Sequence, residues 1–444
     1  MHLRRDTYLA KVSIFVTVVV VLSLLAAHLS WTEERESSGF ILWRDLQTTN
    51  HMSKIKIDPK HQWVAQLDWG WSRWLKVWEL KGDLTIGEKV LDIGGRKGQG
   101  FFVEDIEWVG GRLLMSIIEG YDTLWEWDKQ MEEGTFAPKE VPWQEKWLLF
   151  DPKTRQIIDL GVNEDLLGAK LFAHPSEDKV LIVKLRGGRI SGMHQIKIVS
   201  LPLVSPVKPD IAEEFRFPRK QVGEFFSPLE WAPDGRHFWA LGTDEHGYLK
   251  LFTCGLDGSF RKLTPDDHWL VSGGICDIYG SLPLVIEPTH CMPSIALQGG
   301  RGYVALMSSK RHKHTCLGIY SLEKLEKEYV IVGWDIPYPK ELKSLGECTL
   351  IAVTPYGRLI LQEGRFAPYG EKRRVWVWDI QTGTVRPLAQ VGWIEKVYGW
   401  IGTEWMVVGM RGELFDVEVE YDVGERVTEK RATYEYGLLH VPKG

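Results

Sequence analysis

Two histidines and a cysteine alternate in the second half of the chain. His312, His314 and Cys316 are two residues apart, so on a β-strand their side chains would share one face at a spacing of about 6.6 Å. Imidazole and thiolate groups are ligands that zinc and copper take in proteins. The spacing matches no tight-turn ligand motif, and a solvated basic hairpin tip explains the residues equally. We therefore expect no bound metal or other cofactor, with these three residues as the candidates should a metal bind.

Two carboxylates alternate in the segment LWEWD. Glu126 and Asp128 lie next to tryptophans, and paired carboxyls about 5 to 9 Å apart do the acid and base work of glycoside hydrolysis. The alternative is a solvated strand edge followed by a charged loop. The sequence contains no nucleophile elbow, and no phosphate or dinucleotide loop that follows a strand and opens a helix. Glu126 and Asp128 are thus candidate catalytic residues, although the pattern favours a protein that is not an enzyme.

The densest aromatic cluster lies early in the chain, in the segment WVAQLDWGWSRWLKVW. Trp69, Trp71 and Trp74 lie in or beside a turn that contains Gly70 and Ser72. Exposed tryptophans stack on sugar faces or anchor protein partners. Core packing is the alternative for each ring. These three residues are the candidate ligand-binding residues for a protein or a glycan.

Short strands must position all of these candidates. After residue 39 the chain consists of short apolar runs that are broken by glycine and proline turns, and these runs repeat at a period of about 57 residues. The turns with proline contain Pro59, Pro175, Pro233 and Pro355. Proline presets φ near −65° and a following glycine tolerates positive φ, so adjacent strands reverse tightly. The pattern predicts an all-β fold, a β-propeller of seven blades with six or eight as alternatives, whose large tryptophan rings fill the wedges between blades.

One repeat carries a recognisable signature. The segment WAPDGRHFWAL at residues 231–241 resembles the WxPDGxxhxh motif of TolB-like and other WD-type propeller repeats, with matches at Trp231, Pro233, Asp234 and Gly235. The resemblance implies the propeller architecture over about residues 40–440. Propellers of this kind serve as protein-interaction platforms or gate attached hydrolases. Because the matching residues are turn and packing positions, the resemblance implies no ligand.

The N-terminal segment is strongly apolar. An uncharged run begins at Val12 and ends at Leu29, and its length of about 18 residues would cross most of a bilayer core. Arg4, Arg5 and Lys11 precede it, so the positive-inside rule places the N-terminus in the cytoplasm and the rest outside. A cleaved signal peptide is the alternative, but the poor cleavage pattern favours a signal anchor.

These patterns predict four segments: a cytoplasmic N-terminus (1–11), a transmembrane signal anchor (12–31), a tether (32–39) and a propeller domain (40–444). Residues 40–46 and the segment ATYEYGLLHV near the C-terminus are predicted to pair and close the ring. The net charge of −6 offers no basic footprint for nucleic acid. The five cysteines are an odd number and too few for a dense disulfide framework.

The resulting functional hypothesis is a single-pass cell-membrane protein with its propeller on the extracytoplasmic side. It would act as a non-enzymatic binding or scaffold module for a protein or a cell-envelope glycan on a propeller face. The alternative is a carbohydrate-active or other envelope-directed enzyme with its site at the mouth of the propeller channel.

Overall fold

The fold is described by a computed structural model that covers residues 39–443, apart from 50–52, 69–73, 95–100, 120–143, 163–169, 175–176, 187–192, 202–225, 233–234, 247, 258, 264–267, 271–293, 299–300, 311–313, 322–347, 365–366 and 421–425. Its regular elements are β-strands, with one 3-10 turn at Arg44–Leu46. The predicted all-β character is therefore correct for the described residues.

The strands are short in most of the chain and become long only at its end. Their bounds are β1 Phe40–Leu42, β2 Thr48–Thr49, β3 Lys54–Ile57, β4 Trp63–Leu67, β5 Trp74–Leu80, β6 Ile86–Gly94, β7 Phe101–Val109, β8 Arg112–Glu119, β9 Gln144–Asp151, β10 Gln156–Val162, β11 Lys170–Ala173, β12 Lys179–Arg186, β13 Met193–Ser200, β14 Phe226–Trp231, β15 His237–Thr243, β16 Leu249–Gly255, β17 Phe260–Lys262, β18 His268–Leu270, β19 Ser294–Gln298, β20 Arg301–Lys310, β21 His314–Ser321, β22 Cys348–Val353, β23 Leu359–Glu363, β24 Arg373–Asp379, β25 Thr384–Val391, β26 Ile394–Ile401, β27 Trp405–Glu420 and β28 Arg426–His440.

Successive antiparallel sheets form a β-propeller. Five sheets have four strands (β3–β6, β7–β10, β14–β17, β18–β21 and β22–β25), and a closing sheet has five (β1, β2 and β26–β28). The remaining sheet, β11–β13, has three described strands. The prediction of seven blades is therefore wrong, because six sheets have four or five described strands, whereas only three described strands pair in β11–β13. A repeated turn pattern marks where strands begin, but it does not guarantee that each unit pairs a fourth strand.

The predicted membrane helix is also corrected. None of the helical segments in the described part of the chain is long and apolar enough to cross a membrane. The predicted anchor, residues 12–31, lies outside the described residues. Within the described residues the structure thus contradicts the transmembrane helix and the single-pass membrane location, which the hydropathy of the N-terminal run and the charges beside it had predicted.

Edge strands of successive sheets meet around the propeller axis. Strand β3 contacts β7, β7 contacts β11, β11 contacts β14, β19 contacts β22, and β22 contacts β26. We call β3, β7, β11, β14, β19, β22 and β26 the inner strands. Each inner strand is the edge strand of its sheet, so its side chains lie closest to the axis, where a propeller has its channel.

The two ends of the described chain close the ring. Strand β1 pairs with β28 in the register Phe40 with Leu439 and Leu42 with Gly437, and β2 pairs with β28 a few residues further on. The backbone N–H of His440 donates to the carbonyl of Gly39 at 2.6 Å. The predicted pairing of the N-terminal strand with the C-terminal segment is confirmed, and it removes a free sheet edge from the ring.

Tryptophans join neighbouring blades through both their rings and their N–H groups. The Nε1 atom of Trp108, at the end of β7, donates to the carbonyl of Lys56 at 3.1 Å, and that of Trp231, at the end of β14, donates to the carbonyl of Phe172 at 2.9 Å. Both tryptophans are buried. A ring that fills the wedge therefore also satisfies a carbonyl of the preceding inner strand, as the predicted wedge packing requires.

The turns after the first strands have the conformation that the sequence predicts. Gly235 and Gly357 have φ values of 63° and 83°, and their N–H groups donate to the carbonyls of Ala232 and Thr354, each at 3.0 Å. Only glycine adopts this left-handed region without strain. These turns set the tight reversal that places the second strand of each blade beside the inner strand.

Candidate functional site on the inner strands

Most of the residues predicted to carry chemistry lie outside the described residues. These are Trp69, Trp71, Glu126, Asp128 and His312. Their roles in ligand binding, catalysis and metal binding therefore stay predictions.

Trp74 is described, at the start of β5, and is half-buried. Its Nε1 atom donates to the carboxylate of Asp92, and its ring lies against the backbone of Gly94 on the paired strand. Partial burial raises the pKa of Asp92, but hydrogen bonds from Lys89 and Trp74 outweigh burial and lower that pKa overall. One side of the Trp74 ring is thus covered, which leaves less aromatic surface for stacking on a sugar.

His314 and Cys316 lie in β21, opposite Lys310 and Ser308 of β20. Among the described residues, no group of three or more histidine, cysteine, aspartate or glutamate side chains is placed to hold a metal ion. The side chains of His314 and Cys316 lie outside the described part of the structure, so a metal at this place stays a prediction.

A ladder of two ion pairs connects the inner strands β3 and β7. Lys54 pairs with Asp105, and the Nζ atom of Lys56 lies 2.6 Å from Oε2 of Glu107. The two lysines are two residues apart on β3, and the two acids are two residues apart on β7. The side chains of each pair therefore lie on the same face of their strand. The two carboxylate side chains are only 13% and 10% exposed. Reduced solvent screening makes these pairs stronger than ordinary surface pairs.

A third lysine lies beside this ladder and, unlike the first two, has no ionic partner among the described residues. Lys396 is on β26, the inner strand of the closing sheet, and its Nζ atom is 5.2 Å from the centre of the Tyr398 ring. The residue is exposed to solvent, yet crowding by protein, followed by the charges of Lys54 and Lys56, lowers its pKa. No carboxylate of the described residues lies within ion-pair distance of Lys396.

Two tyrosines hold the strands that carry these lysines. Tyr398 donates from its hydroxyl to the carbonyl of Ser53 at 2.5 Å, and the N–H of Ser53 donates to the hydroxyl of Tyr436 at 2.6 Å. Burial raises the pKa of both tyrosines, so both phenols stay protonated and uncharged near neutral pH. The network fixes β3 against β26 and β28 without placing a negative charge beside Lys396.

Lys54, Lys56 and Lys396, which we call the lysine site, can attract an anion. Lys54 and Lys56 pair with Asp105 and Glu107, and Lys396 adds a third cation near the two lysines, so the formal charge of these five side chains is 3 − 2 = +1. A net positive site disfavours a metal cation and favours a carboxylate or another anion. The alternation of lysines in KIKI and of acids in VEDIE is the signal that sequence reasoning missed.

No family model matches this chain, and no curated protein matches it in sequence. Among solved structures, the chain is similar to the β-propeller domain of the Trilobed protease from Pyrococcus furiosus, with 13% identity, TM-score 0.42, and coverage of 86% of this chain and 95% of that one. A puromycin hydrolase has 11% identity, TM-score 0.40 and coverage of 85% and 50%. TolB from Acinetobacter baumannii has 11% identity, TM-score 0.33 and coverage of 88% and 80%.

These similarities carry no argument about activity. The chain spans 44% to 48% of the length of three hydrolase and peptidase structures that it matches. The assignment of the β-propeller rests on the strand pairing and the ring of inner strands described above.

Proposed function

We propose that this propeller is a non-enzymatic binding module whose lysine site receives an acidic group of a protein partner. The proposal rests mainly on the environment of Lys396. This lysine is exposed to solvent on an inner strand, two further lysines lie beside it, and no described carboxylate pairs with it. A partner carboxylate would relieve the repulsion among the three lysines and gain a charge-assisted contact.

Two observations favour a protein partner over a glycan and over a glycosidase. The ring of Trp74 is partly covered by Gly94 and its N–H is already bonded to Asp92, so its surface for stacking on a sugar is reduced. Asp105 and Glu107 are each neutralised by a lysine, whereas glycoside hydrolysis needs one protonated and one free carboxyl group. A binding function therefore fits the described inner strands better than an enzymatic one.

The test is binding of a labelled, glutamate-rich peptide, followed by fluorescence anisotropy. We expect the wild-type protein to bind it and Lys396→Met to weaken binding about tenfold, or about 1.4 kcal/mol. Lys430→Met, which removes a lysine far along the chain on β28, is the matched control and should leave the affinity unchanged. Binding should also weaken as salt is added.

An oligomer of galacturonic acid is the second probe, because it carries carboxylates on a sugar backbone. Preferential binding of this oligomer over the peptide would refute the protein partner. Equal affinity of Lys396→Met and the wild-type protein for the peptide would refute the lysine site itself.

A further inference from the structure

Strands β27 and β28 continue as a two-stranded ribbon beyond the sheet that they share. Strand β26 pairs with β27 only as far as Met410, and β2 pairs with β28 only as far as Thr433. The pairing of β27 with β28 nevertheless continues. We call residues 414–420 of β27 and 426–432 of β28 the ribbon.

Both edges of the ribbon lack a backbone partner among the described residues. The last backbone hydrogen bond that β27 forms on this edge is at Gly412, whose carbonyl accepts from the N–H of Gly370 at 2.7 Å. Each ribbon strand is about 20 Å long, and an isolated pair of strands is only marginally stable in water. Unpaired strand edges bind extended segments of other chains through backbone hydrogen bonds.

From Phe415 to Glu418 the side chains of β27 alternate between the two faces of the ribbon. Asp416 and Glu418 are exposed on one face, while Phe415 and Val417 are half-buried on the other. Among the described residues, neither carboxylate forms an ion pair, although Lys430 lies opposite Asp416 in the register. The β27 edge therefore offers free negative charges on one face and apolar side chains on the other.

We propose that the β27 edge of the ribbon binds an extended segment of a partner protein in which basic and apolar residues alternate. The segment would add a third strand. Its basic side chains would lie beside Asp416 and Glu418, and its apolar side chains would cover Phe415 and Val417. The β28 edge is a poorer site for the same segment, because β28 carries Lys430 and Arg431.

The probe is a labelled synthetic peptide of alternating lysine and valine, and the readout is fluorescence anisotropy with the full chain. We expect it to bind, and a glutamate and valine peptide of the same length not to bind. The lysine and valine peptide with every second backbone nitrogen methylated should bind at least about tenfold more weakly, because it has lost one hydrogen-bonding edge.

Charge reversal locates the site. The double variant Asp416→Lys with Glu418→Lys should lose affinity for the lysine and valine peptide and gain affinity for the glutamate and valine peptide. Lys430→Glu on the neighbouring strand is the matched control and should keep the wild-type preference. Lys396→Met should also bind the lysine and valine peptide normally, which separates this proposal from that for the lysine site.

Amide hydrogen exchange identifies the edge that is used. Peptide binding should slow exchange in residues 414–420 more than in residues 426–432. The proposal is overturned by any of three results: no binding of the lysine and valine peptide, equal binding of its methylated form, or a dimer of this chain through the ribbon that the peptide does not displace.

Discussion

The Nζ atom of Lys56 lies 2.6 Å from Oε2 of Glu107, and this ion pair joins the inner strands of two successive blades. The side chain of Glu107 is 10% exposed, whereas that of Lys56 is 33% exposed. The carboxylate of Glu107 is therefore almost completely shielded by its pairing, while the side chain of Lys56 still reaches solvent. This asymmetry lets one residue pair both hold the ring together and contribute to the positive potential of the lysine site.

Glu107→Gln should lower the free energy of unfolding by about 2 kcal/mol, because it leaves Lys56 without its carboxylate. Urea denaturation measures this loss. The same variant raises the formal charge of the lysine site from +1 to +2, so it should bind the glutamate-rich peptide more tightly. Glu88→Gln is the control, since the pair of Glu88 with Arg155 is largely exposed and should contribute less than about 1 kcal/mol. Equal losses in the two variants would contradict the role of the ladder.

Lys396→Met should raise the free energy of unfolding at neutral pH while it weakens binding of the glutamate-rich peptide. The folded protein lowers the pKa of Lys396, so between this lowered pKa and the ordinary lysine pKa the unfolded chain binds more protons. The free energy of unfolding of the wild-type protein therefore gains from Lys396 as pH rises across that window. The difference in this free energy between Lys396→Met and the wild-type protein should shrink there. Urea denaturation at several pH values tests this, with Lys430→Met as control. A variant that is less stable at every pH would contradict the assignment.

Peptide affinity gives a second pH test of the same lysine. Anion binding needs the protonated amine, so affinity should fall as pH rises through the lowered pKa of Lys396. The wild-type protein should thus lose affinity before an ordinary exposed lysine would deprotonate. An affinity that is constant until the ordinary lysine range would argue against Lys396 as the binding group.

Gly437→Ala should destabilise the closed ring by about 1 to 3 kcal/mol. An added Cβ at Gly437 would collide with the carbonyl oxygen of Ile41 and the ring of Phe40, so β1 would have to move away from β28. Gly82→Ala is the matched control, because a Cβ there meets no atom within 4 Å. Thermal unfolding compares the two variants. An unchanged melting temperature for Gly437→Ala would show that the pairing of β1 with β28 contributes little to the ring.

Trp231→Phe should cost about 1 kcal/mol more than Trp239→Phe. Both tryptophans are 2% exposed, and both replacements remove the same atoms. Only Trp231 donates to a carbonyl of the preceding blade, whereas the buried Nε1 atom of Trp239 has no hydrogen-bond partner in the described structure. The difference between the two free energies of unfolding isolates the bond between blades, and no difference would mean that ring packing alone holds this boundary.

Local patterns were sufficient to predict the strands, their turns and the closure of the ring. Gly235 and Gly357 need positive φ because of the turns in which they lie, and Trp231 is one of the motif residues that were expected at turn and packing positions. These features depend on contacts within one repeat or between adjacent repeats. The predicted count of seven blades was wrong because it assumed that every repeat forms a complete blade, whereas only three described strands pair in β11–β13.

The charged cluster could not be predicted in the same way. The alternation of Lys54 with Lys56, and of Asp105 with Glu107, determines which side chains share a face, since side chains along a strand alternate. It does not determine which face of which neighbour they meet. Only the closed ring brings Lys396, from the last blade, beside Lys54 and Lys56 from the first. Sequence by itself therefore determined the repeating unit, through short-range sterics and periodicity, whereas tertiary structure decided where distant charges meet, because their energies depend on separation and burial in space.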